Sequence, residues 1–250
     1  MHLISDLDGT WLHPRSAPSS LRRLEAHLAA TPDITLTFAT GRTLASALGV
    51  LEGRIQRWPN HLITDVGTAI YHRTIQGDWD EDQDYADWVR KRWDSDFLEL
   101  MANRWIPEGV QRQEGITPLR RIALEVLPGR NIKLLSEHLR KNLEEAGARV
   151  DVLVTGRCID ILPNGLHKGT AAAFLHSSLH LSAPIVACGD SENDLGLFSI
   201  ADAVVLMPDG AIWTSSKRHQ VRNAFVPTKS GPVGILQAIQ SPVLTYSRLT

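Results

Sequence analysis

Short apolar runs alternate along the chain with longer amphipathic stretches. The early runs are mostly apolar, as expected of strands buried in the interior of a sheet. They are residues 1–5, 34–39 and 61–64. Between the first two runs, Leu21, Leu24 and Leu28 share one helical face, and we expect Ser19-Ser20 to cap that helix. Strands that alternate with helices predict a parallel sheet covered by helices on both faces.

The pattern changes in the middle of the chain. Residues 77–103 are polar and rich in tryptophan, with aromatic and apolar side chains near helical spacing. Residues 131–146 predict an amphipathic helix that Gly147 ends. The next segment, RVDVLVTGRCIDILP, predicts the two strands of a hairpin. We therefore predict an inserted α+β unit with a mostly antiparallel sheet.

After this insertion, short apolar runs again alternate with helical stretches, as in a parallel sheet. The elements predicted there are a helix near 167–179, a buried strand over 184–188, another strand near 203–207 and a closing helix over 232–240. The predicted fold class is α/β, a Rossmann-like parallel-sheet core interrupted by an α+β cap. The core would comprise residues 1–76 and 161–250, and the cap residues 77–160.

Composition narrows the class of protein. The formal net charge of the 250 residues is -2, so no overall field attracts nucleic acid or a membrane surface. The two cysteines, Cys158 and Cys188, cannot build a disulfide framework, which favours a reducing compartment. No apolar run approaches the ~20 residues that span a bilayer, and two aspartates interrupt the N-terminal run before it could serve as a signal peptide. We expect a cytoplasmic monomer.

Polar residues gather where the predicted strands end. In a parallel α/β sheet, functional groups lie at the carboxyl ends of the strands, so residues far apart in sequence converge there. The acids among them would repel one another and raise their own pKa values. A hard divalent cation relieves this repulsion, and Mg²⁺ commonly combines carboxylates with a substrate phosphate. The residues concerned are Asp6, Asp8, Thr40, Lys168, Asp190 and Asp194.

Four motifs, in this order, resemble those of the haloacid dehalogenase superfamily of phosphohydrolases. They are DLDGT at 6–10, TFATGR at 37–42, Lys168, and GDSEND at 189–194. The block between the second and third motifs fits the α/β cap of that superfamily. Within it, the chain is most similar to the sucrose-6-phosphate phosphatases, because Trp11 follows the first motif, Val66-Gly67 precedes an Ile-Tyr pair, and the predicted cap ends in DILP.

The resemblance implies a division of roles in phosphoryl transfer. Asp6 would attack phosphorus and form an aspartyl-phosphate, while Asp8 would protonate the leaving sugar oxygen and then activate water. Thr40 would donate a hydrogen bond to a phosphoryl oxygen, and Lys168 would neutralise negative charge. The implied cofactor is Mg²⁺, at a site formed by Asp6, Asp8, Asp190 and Asp194.

The resemblance also implies a sugar-phosphate site between core and cap. Two cap positions depart from the family: Arg121 stands where a lysine is usual, and Arg157-Cys158 where lysine and aspartate are usual. These departures leave the identity of the sugar open. The predicted substrate contacts are Thr40, Gly41, Arg42, Gly67, Gln113, Arg121, Arg157, Asp160 and Asn193.

Three functional hypotheses follow. The first is a Mg²⁺-dependent phosphatase acting on a phosphorylated disaccharide, with sucrose 6-phosphate preferred and mannosylfructose phosphate or glucosylglycerate-type phosphates as alternatives. The second is a hexose-phosphate mutase of the same superfamily, which would use a cluster of cap arginines. The third is a catalytically inactive binding protein, which the intact acids and lysine disfavour. Association with a sugar-phosphate glycosyltransferase is compatible with each.

Overall fold

The computed structural model describes residues 1–31, 33–93 and 95–241. Residues 242–250, which end the predicted core segment, lie outside the described residues. The strands are β1 (His2–Ser5), β2 (Thr35–Ala39), β3 (His61–Thr64), β4 (Ala69–Arg73), β5 (Trp79–Glu81), β6 (Val110–Arg112), β7 (Ile122–Val126), β8 (Val150–Thr155), β9 (Cys158–Pro163), β10 (Ile185–Gly189) and β11 (Ala203–Leu206). The helices are α1 (Pro18–Ala29), α2 (Leu44–Leu51), α3 (Gln83–Arg90), α4 (Ser95–Trp105), α5 (Ile132–Glu145), α6 (Lys168–Ser178), α7 (Leu195–Ser199) and α8 (Pro232–Ile239).

The larger sheet has seven strands in the order β11-β10-β1-β2-β3-β4-β5. The five strands from β11 to β3 are parallel, and β4 and β5 are antiparallel additions. Strand β1 lies in the interior of this sheet and all four of its residues are buried, including the polar His2 and Ser5. The predicted Rossmann-like α/β fold is confirmed.

Helices cover both faces of this sheet. Leu24 and Leu28 of α1 join Ile235 of α8 in one buried cluster, while Leu175 of α6 and Leu197 of α7 belong to the cluster on the other face. Among the described helices, none has the length and apolar character needed to cross a bilayer.

The start of α1 differs from the prediction. The helix begins at Pro18, after Ala17, and so before the predicted caps at Ser19-Ser20. Proline suits the first turn of a helix because the N–H that it lacks would have no intrahelical partner there. The apolar spacing located the helix, but the proline determines where it begins.

A second, four-stranded sheet is antiparallel, in the order β6-β7-β9-β8. Helices α4 and α5 cover it, and Leu98, Leu139 and Ile161 contribute to its separate apolar cluster. Helix α5 matches its prediction, and Asn131 caps it by accepting a hydrogen bond from the amide of Leu134 at 3.2 Å. This sheet and its helices form the cap.

Sheet membership differs from the predicted limits of the cap at both ends. Strand β5 pairs with β4 in the larger sheet, and Tyr85 and Val89 of α3 pack in the core cluster. At the other end, β9 pairs with β7 and β8 throughout its length. Periodicity indicated α3 and β9 but not β5, and it does not encode which sheet an element joins. We therefore propose limits near residues 94 and 164 in place of 77 and 160.

Candidate active site

The residues that follow the parallel strands meet at one edge of the core sheet. Asp6 follows β1, Thr40 follows β2, Asp190 follows β10, and Lys168 begins α6. A cleft of about 560 Å³ opens there between core and cap. Of the predicted site residues, those lining it are Asp6, Asp8, Gly41, Arg42, Gln113, Arg121, Asp160, Asp190 and Asn193. Thr40 and Lys168 are fully buried.

Lys168 is the buried cation at this edge of the sheet. Its Nζ donates to a carboxylate oxygen of Asp6 at 2.5 Å, to Asp194 at 2.7 Å and to Oδ1 of Asn193 at 3.2 Å. Burial alone would lower the pKa of Lys168, but the carboxylates of Asp194 and Asp6 raise it above its ordinary value. The lysine therefore stays charged and fixes the orientation of Asp6.

Three carboxylates crowd around this lysine. Oxygens of Asp6, Asp190 and Asp194 lie within 4.8 Å of one another. Burial, followed by the charge of Asp194, raises the pKa of Asp190 to about 7; burial also raises the pKa of Asp6, although Lys168 opposes this. One ammonium among three carboxylates leaves two negative charges, so the donor set fits a hard divalent cation.

Asp194 has both carboxylate oxygens engaged with the protein. One accepts from Lys168, and the other accepts from the backbone amides of Asp190 at 3.0 Å and Ser191 at 3.1 Å. These bonds hold the loop that carries Asp190. Asn193, a predicted substrate contact, likewise accepts from the lysine and from the Ser191 hydroxyl at 2.7 Å.

Asp8 is directed toward solvent and pairs with Arg42. The guanidinium donates to both carboxylate oxygens, with Nε at 2.8 Å and Nη2 at 2.7 Å, and its remaining nitrogen donates to Ser46 at 3.0 Å. The Asp8 side chain is 54% exposed, so a substrate can reach it. The Thr40 hydroxyl accepts from the amide of Arg42 at 3.2 Å and keeps its own proton to donate.

A strained turn in the core contacts the loop that carries Thr40 and Arg42. Asp65 and Val66 have φ of 51° and 61°, a conformation that is rare outside glycine and costs on the order of 1–3 kcal/mol per residue. Their amides donate to the carbonyls of Arg42 at 2.8 Å and Thr40 at 3.2 Å. Nothing in the local sequence indicates this strain, because neither Asp65 nor Val66 is a glycine.

Gly67 is packed against the start of α6. A Cβ at this position would lie 2.4 Å from the carbonyl carbon of His167 and 2.6 Å from the nitrogen of Lys168. Any side chain here would therefore displace the helix that carries the lysine. Although Gly67 was predicted as a substrate contact, its observed contact supports the position of Lys168.

Arg121 is the predicted substrate residue whose surroundings differ most from expectation. Its guanidinium is 2% exposed and donates to Asp65 at 3.1 Å, to the Gly41 carbonyl at 3.0 Å and to Asp160. Burial raises the pKa of both Asp65 and Asp160, and Arg121 opposes that shift in each. Sequence reasoning missed this network because its members come from distant parts of the chain.

Two other cap residues predicted to contact substrate lie directly after strand β6 and at the hairpin turn. Gln113 lines the cleft and its amide donates to the Leu124 carbonyl at 3.3 Å. Arg157 donates to the Val126 carbonyl and pairs with Glu125 at 3.9 Å. Sugar contacts by Gln113, Arg157 and Asp160 remain predictions.

The cap arginines do not form the cluster that a mutase would use. Four cap arginines are the candidates for such a cluster, and each is paired with a carboxylate within the described residues. The pairs are Arg112 with Glu99, Arg120 with Glu81, Arg121 with Asp65 and Asp160, and Arg130 with Glu108. Each of these charges therefore already has an acidic partner in the protein, although the pairs of Arg112 and Arg130 lie at the surface.

The fold and this site define a member of the haloacid dehalogenase superfamily, and solved hydrolases of that superfamily share the fold at identities below 25%. The sequence model of the sucrose-6F-phosphate phosphohydrolase family matches residues 1–241. The chain belongs to that family.

Individual relatives agree with this assignment. The sucrose-phosphatase from Synechocystis sp. PCC6803, solved in complex with sucrose and phosphate, is 27% identical with a TM-score of 0.83, and the match covers 100% of this chain and 99% of that one. Sucrose-phosphatase 1 of Nicotiana tabacum is 28% identical over 95% of this chain, which spans 58% of that relative's length. A glucosylglycerol-phosphate synthase of Pseudomonas anguilliseptica is 29% identical over 95% of this chain and 30% of its own length.

Proposed function

We propose that this protein is a Mg²⁺-dependent phosphatase that hydrolyses a phosphorylated disaccharide, with sucrose 6-phosphate as the first choice. The observation that carries the proposal is Asp6, held by Lys168 at 2.5 Å at the base of a cleft that core and cap share. Membership of the sucrose-6F-phosphate phosphohydrolase family supports the choice of sugar.

In the first half-reaction, a carboxylate oxygen of Asp6 attacks phosphorus, and the bond from phosphorus to the sugar oxygen breaks. Asp8 gives a proton to the departing oxygen, which releases the free sugar. The second half-reaction hydrolyses the aspartyl-phosphate: Asp8 takes a proton from water, the new hydroxyl attacks phosphorus, and inorganic phosphate leaves. Lys168 and the Thr40 hydroxyl stabilise the negative charge of the transferring group in both halves.

The donor set around Asp6 fits Mg²⁺. Asp6, Asp190 and the backbone carbonyl of Asp8 would hold the ion, which when bound supplies positive charge to the phosphoryl oxygens. Asp194 was also predicted at this site; because its oxygens are engaged by Lys168 and by loop amides, we propose that it orients these groups.

The relative named as a glucosylglycerol-phosphate synthase gives a second candidate. The part of that relative that matches this chain covers 95% of this chain. Because the relative's name refers to glucosylglycerol phosphate, we propose that compound as an alternative substrate. The cap would decide between these sugars, because Gln113 and Asp160 of the cap line the same cleft as Asp6 and Asp8.

Phosphate release tests the proposal. The purified protein would be assayed with Mg²⁺ against sucrose 6-phosphate, glucosylglycerol phosphate, mannosylfructose phosphate and glucose 6-phosphate, with Asp6→Asn as the inactive control. A preference of roughly a hundredfold in kcat/KM for one glycoside phosphate, about 2.7 kcal/mol, identifies the substrate. Turnover by Asp6→Asn near that of the wild type, or the absence of phosphate release from every compound, would reject the proposed function.

A further inference from the structure

Two neighbouring arginines of the cap anchor it to the core by different contacts. Arg120 pairs with Glu81 of β5 and donates to the Thr68 carbonyl at 3.3 Å. Arg121 donates instead to Asp65 and to the carbonyl of Gly41. Only the second of these arginines therefore contacts, within the described residues, both the strained turn and the loop that carries Thr40 and Arg42.

The guanidinium of Arg121 joins three parts of the molecule. Each of its three nitrogens donates to a protein group: Nε to Asp65, Nη1 to Asp160 in the cap, and Nη2 to Gly41. The side chains of Arg121 and Asp65 are 2% and 1% exposed, so these bonds are shielded from water. With its nitrogens engaged in this way, the arginine is held as a fixed support at the base of the cleft.

The segment 40–42 depends on the same contacts. The amides of Asp65 and Val66 donate to the carbonyls of Arg42 and Thr40, and the carbonyl between them, that of Gly41, accepts from Arg121. Successive carbonyls of this segment are thus held by the left-handed turn and by the cap arginine. Because the turn is strained, the Asp65 ion pair adds to the two amide bonds that keep it against the segment.

We propose that Arg121 is a positioning residue that couples the cap to the phosphate-side segment 40–42, so that Thr40 and Arg42 are correctly placed only while the cap rests on the core. This inference rests on the proposed phosphatase function and names a role for Arg121 other than the predicted sugar contact. A sugar-contacting residue would affect only substrates that carry the sugar, whereas a positioning residue affects every phosphate that binds to segment 40–42.

The experiment compares Arg121→Met with Arg120→Met, which removes the neighbouring cap-to-core ion pair and leaves segment 40–42 untouched. The readouts are kcat for the sugar phosphate, kcat for a small aryl phosphate, and the inhibition constant of inorganic phosphate. We expect Arg121→Met to lower both kcat values and to weaken phosphate inhibition by roughly tenfold or more, while Arg120→Met changes phosphate inhibition by less than about threefold. A defect confined to the sugar phosphate, or equal phosphate inhibition in both variants, would overturn the proposal.

A milder variant covers the case in which Arg121→Met does not fold. Arg121→Lys keeps the charge, but one ammonium cannot reproduce three donors in a fixed plane, so the same kinetic pattern is expected at smaller amplitude. Arg120→Lys is its control. Unchanged phosphate inhibition in Arg121→Lys, with the protein folded, would count against the coupling.

Amide hydrogen exchange separates this inference from the proposed function. Should the wild type release no phosphate from any compound, the proposed function fails, and exchange still decides the coupling. Peptides covering residues 40–43 and 63–66 should exchange faster in Arg121→Lys than in Arg120→Lys, relative to peptides of the central strand β1. Equal exchange of those peptides in the two variants would reject the coupling whatever the reaction is.

Discussion

Replacement of Lys168 by methionine tests whether the site is built on charge compensation. The substitution keeps an unbranched chain of similar length and removes only the ammonium. In the native protein that ammonium lies 2.5 Å from Asp6 and 2.7 Å from Asp194, and the side chain has no exposed area. Without it, the carboxylates of Asp6, Asp190 and Asp194 remain close together, and within the described residues none of them has another ion-pair partner.

The magnitude follows from the burial of the partners. Removing one member of a buried ion pair costs on the order of 3–5 kcal/mol, because the remaining charge is left without compensation. For a protein of this size each kcal/mol lowers Tm by about 2–4 °C, so Lys168→Met should lower it by roughly 6–20 °C. A surface pair should behave differently: Lys217 lies 3.1 Å from Glu192 but is half exposed, and such pairs contribute about 1 kcal/mol or less.

The assay is urea denaturation at neutral pH with a chelator present, so that no bound metal masks the effect. Wild type, Lys168→Met, Lys217→Met, Asp194→Asn and the double variant Lys168→Met/Asp194→Asn would be compared. The double variant should be less destabilised than the sum of its two single changes by about 2 kcal/mol, because Asp194→Asn removes one of the carboxylates that the lysine had neutralised. If Lys168→Met were no less stable than Lys217→Met, the ammonium would not be compensating the buried acids.

Two further predictions concern metal and pH. Saturating Mg²⁺, at about a hundred times its dissociation constant, should stabilise the wild type by about 2.7 kcal/mol and raise its Tm by several degrees. Thermal melts of Asp190→Asn should show that most of this rise in Tm is lost. An undiminished rise in that variant would exclude Asp190 as a ligand. Burial lowers the pKa of His2 to about 3 and that of His61 to about 4. Below pH 6.5 the unfolded chain therefore binds more protons than the folded protein, and the free energy of unfolding decreases as the pH is lowered. At about pH 5 each histidine should cost roughly 2 kcal/mol, and urea midpoints at neutral and acid pH would check this, with His2→Gln and His61→Gln expected to flatten the dependence.

The core part of the site could be predicted because its chemistry lies at fixed places along the strands. Asp6, Thr40 and Asp190 each occupy the first position after a parallel strand, and the geometry of such a sheet brings those positions together whatever the rest of the chain does. Lys168 was located by its motif, and the fold confirms that it begins a helix facing the same edge. Local sequence and sheet topology were sufficient here because each element contributes one residue through its own end.

The charges that the sequence left without a role belong to contacts between loops. Glu192 accepts from the Ser215 hydroxyl and pairs with Lys217, and Asp209 joins His13 and Arg15 in a surface network. Their partners are separated from them by up to 196 residues, and no periodicity relates such positions. Secondary-structure patterns carry no information about which loops lie side by side.

On the cap side of the cleft, too, the sequence does not reveal which charged residues are paired, and here the pairing bears on substrate specificity. Arg121 taken alone is a basic residue where the family usually has lysine, and Asp65 alone is an unexplained acid beside a turn. Together they form a buried pair across the boundary between cap and core, at 3.1 Å, and each compensates the charge of the other. The residue at position 121 can therefore be set by its contact with the core rather than by the sugar. It follows that the departure at Arg121 is weak evidence against sucrose, and that the sugar is better judged from Gln113 and Asp160, which line the cleft on the cap side.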